Sequence, residues 1–201
     1  MSVRSQYGRW CQAAARRLWD DRAAQIVEFA VSLPLLVVFV VGIFDFSGAL
    51  SLKQKLTNAA REGARVAAAD PANDLGGSSS GTPASVIDAF QVVDNYLLSE
   101  KINTCGLAGA LPARQGSTLT WISMAPGCGS VPPNGIILTI NRGFITQQTI
   151  GSTQTDVVST QVTIQYAYKW RFNSVITLLV PSATYASMSY ISTTATAFNE
   201  N

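Results

Sequence analysis

The 201-residue sequence has no histidine and little charge. It holds 14 Lys+Arg and 12 Asp+Glu, or 13% charged residues, where about a quarter is ordinary. Without imidazole there is no Ser-His-Asp triad, no histidine metal cluster and no imidazole general base. A net charge of +2 excludes a nucleic-acid binder driven by bulk basicity. Scarce charge combined with 47% hydrophobic residues excludes a disordered chain, which needs the opposite balance. A P-loop, a dinucleotide fingerprint and a nucleophile elbow are also missing. The acids Asp88, Asp94, Glu100 and Asp156 form no paired motif, and three of them share one amphipathic helix. No catalysis, cofactor, metal or small-molecule substrate is therefore expected.

The charge that exists is divided unevenly. Residues 1–69 carry nine Lys/Arg against five Asp/Glu, and residues 70–201 carry five against seven. A basic, apolar first part followed by a low-charge, Ser/Thr-rich body suggests a membrane anchor joined to an exported domain.

The anchor is legible as FAVSLPLLVVFVVGIFDFSGALSL, residues 29–52, in which Asp45 is the one charge. About 20 apolar residues cross a bilayer core, and residues 29–50 suffice if Asp45 lies near an interface. The run is apolar on every face, and no second such helix exists to surround it. That argues against a buried core helix of a soluble protein. Arg4, Arg9, Arg16, Arg17 and Arg22 precede it, which places the leader in the cytoplasm by the positive-inside rule. Ser47-Gly48-Ala49 is a possible signal-peptide cleavage site. Against cleavage there, the sequence after Ala49 reads as a continuing helix.

SLKQKLTNAAREGARVAAAD is rich in strong helix formers, and Asp70-Pro71 ends it. Residues 24–69 then form one helix of about 70 Å, which Pro34 should kink. Leu52, Leu56, Ala59, Ala60, Gly63 and Ala67 fall on one side. That stripe suits either the chain's own C-terminal domain or a neighbouring subunit. Glu62 and Arg65 are spaced for a weak surface ion pair.

Glu28 stands already inside the apolar run, where a carboxylate is costly unless it is paired or close to headgroups. Cleavage between Ala23 and Ala24 would make Glu28 the fifth residue of the mature chain. It could then pair with the new α-amine of an adjacent subunit.

The block RAAQIVEFAVSLPLLVVFVVGIFDFSGALSLKQKLTNAAREGARVAAA resembles the N-terminal signature of TadE-like proteins, minor pseudopilins of the tight-adherence (Flp, type IVb) pilus system. The matching positions are Arg22, Glu28, Phe29, Pro34, Asp45, Asn58, Ala59, Ala60, Arg61, Glu62, Gly63, Ala64 and Arg65. Ala23 stands where the family usually has Gly, which leaves both a processed and an uncut chain open. The resemblance implies a single-pass protein of the bacterial inner membrane, with its N-terminus cytoplasmic and its C-terminal domain periplasmic. Ala23–Ala24 would be the prepilin-type cleavage site, and Glu28 and Phe29 would serve peptidase recognition or assembly. The implied partners are other pilins or pseudopilins, a prepilin peptidase, the assembly platform with its ATPase, and the lipid bilayer. A membrane-tethered structural or adhesion module outside any pilus is the competing reading.

The expected organisation is a leader (1–23), a pilin-like helix (24–69), a Gly/Ser-rich linker (70–83) and an α+β domain (84–201). Thr82-Pro83 should open a second helix running to about Ile102, with Thr82 as N-cap. Strands are expected at 117–124, 136–141, 158–170 and 185–198, and a turn or helical segment at 172–180. In the strand at 158–170, Val158, Val162, Ile164, Tyr166, Tyr168 and Trp170 should share one face, with Ser159, Gln161, Thr163, Gln165 and Lys169 on the other. Together these give a small antiparallel sheet beneath a long helix. Cys11 lies in the leader and should remain a thiol. Cys105 and Cys128 are expected to pair in an oxidising periplasm.

Overall fold

The computed structural model describes residues 21–71, 73, 75, 81–128, 135–150, 152–170 and 189–200. Helix α1 spans Asp21–Ala69 and continues through Pro34. Helix α2 spans Ala84–Ser99, and a 3₁₀ turn follows at Leu107–Gly109. Five strands follow among the described residues: β1 Ala113–Arg114, β2 Thr120–Ala125, β3 Ile136–Ile150, β4 Thr153–Tyr168 and β5 Ser189–Phe198. They form one antiparallel sheet in sequence order. The class is α+β. Two compact units are present, one containing residues 21–46 and the other residues 47–170 and 189–200.

The larger unit is a helix layer on a sheet. Alternation along the strands turns Trp121, Ile136, Leu138, Ile140, Val162 and Ile164 inward, where all are buried. Leu56, Ala59, Ala60, Ala64 and Ala67 of α1 meet them, as do Val86, Ala89, Val93 and Leu97 of α2. Small residues on α1 permit that close approach. A Cβ at Gly63 would lie 2.6 Å from a Val93 methyl and 3.8 Å from Val162. The stripe read from sequence therefore packs on the chain's own domain.

Polar contacts fix α1 along the sheet. The Thr57 and Thr193 hydroxyls lie 2.8 Å apart. Lys55 pairs with Glu100 at 3.1 Å, and the Glu200 N–H donates to Ala68 O. At its C-terminal end the helix meets a buried cation. The register of β3 against β4 shifts between Asn141 and Phe144, so Arg142 and Gly143 together oppose Thr160. This is a β-bulge. It leaves Arg142 fully buried, with Nη2 donating to Asp70 O at 3.0 Å and Nη1 to Thr160 Oγ1 at 3.3 Å. A guanidinium on the last carbonyls of a helix satisfies orphan acceptors and complements the helix dipole.

Cys105 and Cys128 form a disulfide that closes a loop 23 residues long. A loop of that length stabilises a domain by about 3 kcal/mol in the chain-entropy model. The Ser123 hydroxyl donates to Ala110 O across the same region.

Several sequence expectations need correction. Thr82 does not cap α2. Its hydroxyl donates to Pro112 O, and Pro83 O instead receives the N–H groups of Val86 and Ile87. The helix stops at Ser99 rather than Ile102, because Lys101 takes a left-handed φ of 57°. Strand β3 runs nine residues beyond Asn141. Its distal part pairs only with β4, since β2 ends opposite Asn141 and β5 ends opposite Ser159. Val158 sits on this exposed arm rather than in the core, while Ser159 is buried and donates to Thr146. Trp170 lies past the end of β4, edge-on to Tyr168. The leader before Asp21, the turn at 132–134, the segment 172–180 and much of the linker lie outside the described residues.

Candidate functional site

The candidate site is α1 itself. From Ile26 to Leu50 most of its large apolar side chains face outward: Ile26 is 69% exposed, Phe29 65%, Leu36 61% and Phe44 66%, while Val37, Val38 and Val41 are half-buried on the side of Asp45. Leaving large apolar side chains in water costs roughly 1.5–3 kcal/mol each, so this surface requires hydrocarbon or other apolar helices around it. Among the described residues it is the one helix long and apolar enough to cross a membrane. Single-pass anchoring is the arrangement this supports.

The signature residues are distributed along that helix and do not converge on one pocket. The backbone at Ala23 is helical, and Ala24, Glu28 and Phe29 are exposed on the first turns. Pro34 is exposed mid-segment. Asp45 is only 4% exposed and is engaged in an interaction, whereas its neighbours Phe44 and Phe46 face outward. Glu28 and Asp45 stand seventeen residues apart, about 25 Å along a helix.

The second half of the signature divides by function. Gly63 and Ala64 are buried in the core, while Asn58, Arg61 and Arg65 are exposed. Arg65 Nη2 reaches Glu62 Oε2 at 2.9 Å, the expected i, i+3 pair. Exposed and singly paired, it contributes little to stability. The basic residues therefore line the solvent side, with the small ones against the sheet. Among the described residues no cluster of His, Cys, Asp or Glu could hold a metal ion.

Residues 23–65 match the family model described as TadE-like protein. Over this helix the chain resembles TadE-like proteins. No curated protein and no solved structure matches it. The match suggests a component associated with the tight-adherence pilus. The matched segment includes the whole outward-facing apolar run and stops at Arg65, one turn before the helix ends.

Sequence reasoning missed two residues that seat this helix. Arg142 was not singled out, because a bulge leaves no periodic mark in sequence. Tyr168 was assigned only to a strand face. A Cβ at Gly48 would lie 3.2 Å from its hydroxyl, so Gly48 lets α1 approach the end of β4. A glycine inside a helix-forming run was the available signal.

Proposed function

We propose that this TadE-like protein is a minor pseudopilin-like component of tight-adherence pilus assembly. It acts by helix packing and protein–protein contact rather than by catalysis. It spans the bacterial inner membrane once, with residues 1–23 as a cytoplasmic leader, residues 24–69 as the anchoring and assembly helix, and the domain beyond residue 84 in the periplasm. A prepilin peptidase cuts between Ala23 and Ala24. Glu28 then registers the subunit, its carboxylate meeting the free α-amine of a neighbour where a low dielectric strengthens the pair. Other pilins, the peptidase and the assembly platform are its partners.

The observation that carries the reading is a single continuous helix. Its first half is apolar on all sides, with a carboxylate at its head, and its second half is built into a disulfide-bonded domain. A cleaved signal peptide would not share a helix with the core of the mature protein, as residues 47–69 do here. The test is co-isolation from membranes. The full chain should co-purify with other pilins, and Glu28→Ala should reduce the co-purified pilins by about tenfold, the loss of one charge pair worth 1.4 kcal/mol. Equal recovery with Glu28→Ala would favour a membrane-tethered structural module that works alone.

A further inference from the structure

All four lysines of the chain lie at one end of the sheet domain. Lys53 and Lys55 are the first charges of α1 after its apolar run. Lys55 pairs with Glu100, and Lys101 follows directly. Lys169 is exposed just past the end of β4. The same end gathers aromatic rings. Of the six tyrosines and tryptophans among the described residues, four stand here, with Tyr166, Tyr168 and Trp170 at the end of β4 and Tyr190 at the start of β5. Lysines and amphipathic rings collected at one end of a domain need a common cause.

Helix α1 supplies it by fixing the depth of this end. About 20 residues cross a hydrocarbon core. Counted from Phe29, the first residue after Glu28, they finish at Gly48. A Cβ at Gly48 would lie 3.2 Å from the Tyr168 hydroxyl, and one at Gly63 would lie 3.8 Å from Val162. Fifteen helical residues cover about 22 Å, and six strand residues cover about 20 Å. Strand β4 therefore runs beside α1 and antiparallel to it. Its Tyr168 end stands level with the edge of the hydrocarbon. Trp170 packs edge-on against Tyr168, with ring centroids 5.2 Å apart. Tyr190 pairs with Ala167, at the same level on the opposite face of the sheet.

We propose that this end of the sheet is a lipid-binding foot. Trp170 and Tyr190 lie among the headgroups, and Lys53, Lys101 and Lys169 engage the lipid phosphates. The inference rests on the reading of α1 as a membrane span. Tyr168 is buried and sets the depth, while Tyr190 is 46% exposed and Trp170 half-buried. Rings with an apolar body and a polar tip concentrate at the membrane–water interface. Lysine stems lie along apolar surface while their ammonium groups reach outward, and anionic headgroups attract them. Lipid is selected over a protein partner because α1 holds these rings at headgroup depth in every anchored chain. The domain then rests directly on the bilayer, which restrains the tilt of the sheet.

The experiment uses the full chain in liposomes, with Trp10→Phe and Trp19→Phe so that Trp121 and Trp170 carry the emission. Flotation with the vesicles reports the span. Phosphatidylcholine bearing a nitroxide near the top of its acyl chain should quench the emission. Trp170→Phe should abolish that quenching, because Trp121 is buried in the core. Replacing part of the phosphatidylcholine with phosphatidylglycerol should deepen the quenching at low salt. The triple variant Lys53→Gln, Lys101→Gln and Lys169→Gln should lose that increment. Should Trp170→Phe misfold, a fluorophore on Tyr190→Cys in a Cys11→Ser background decides, and the same lipid should quench it. A chain that floats but is not quenched would overturn the foot and leave the span standing. A chain that does not float would overturn both. Equal quenching in the two lipid mixtures would overturn the phosphate contact.

Discussion

Gly63 shows why a single hydrogen matters in this helix. It is buried where α1 meets both α2 and β4, and any Cβ there intrudes on Val93. Gly63→Leu should lower stability by about 1–3 kcal/mol, the usual cost of overpacking, read as a lower melting temperature of the sheet domain. Asp94 is the opposite kind of residue, a carboxylate placed where an apolar group would fit. It is 7% exposed on the inner side of α2. Burial pushes its carboxyl above the usual carboxylate range, and a hydrogen bond from Thr104 partly offsets the shift. One carboxylate oxygen has no partner among the described residues. A raised folded-state pKa means that the unfolded chain ionises first as pH rises. Stability is therefore lost as pH climbs from about 4 through the folded value, and the penalty persists at neutrality. Asp94→Asn should raise the melting temperature at pH 7, and the gain should shrink toward pH 4. An equal gain at both pH values would show that ionisation is not the cause.

The elements differ in how far their sequences announce them. Helix α1 was readable to its C-terminal end, because its apolar run, its helix formers and Asp70-Pro71 all agree, although it is already helical at Asp21 rather than from residue 24. Strand β4 was readable only in its inner part, where Val162 and Ile164 alternate with polar residues. Outside the core, Val158 is exposed and Ser159 is buried, because neighbouring strands stop there and burial no longer follows the pleat. The distal part of β3 was missed for the same reason. TQQT carries no hydrophobic period, and its pairing with β4 alone holds it in place. Arg142 is the costliest omission at this scale, since it joins the end of α1 to the bulge in β3. Arg142→Met should destabilise the domain by about 1–3 kcal/mol, the cost of leaving the Asp70 carbonyl and the buried Thr160 hydroxyl without the guanidinium donors. Native-state hydrogen exchange should then show the last turn of α1 opening first. A change below about 0.5 kcal/mol, typical of a surface site, would mean that the guanidinium only fills space.

At the scale of the whole molecule, the two halves of one helix face different solvents. Residues 26–50 present apolar side chains outward, while residues 56–67 bury theirs in a protein core. Composition and hydropathy made that division legible, and the TadE-like signature gave it a setting. The direct test of the account is the intact mass of the protein extracted from membranes. The account predicts a membrane-held chain beginning at Ala24 with its disulfide formed. A soluble product beginning at Leu50 would contradict the anchor, and a full-length chain retaining residues 1–23 would contradict the processing.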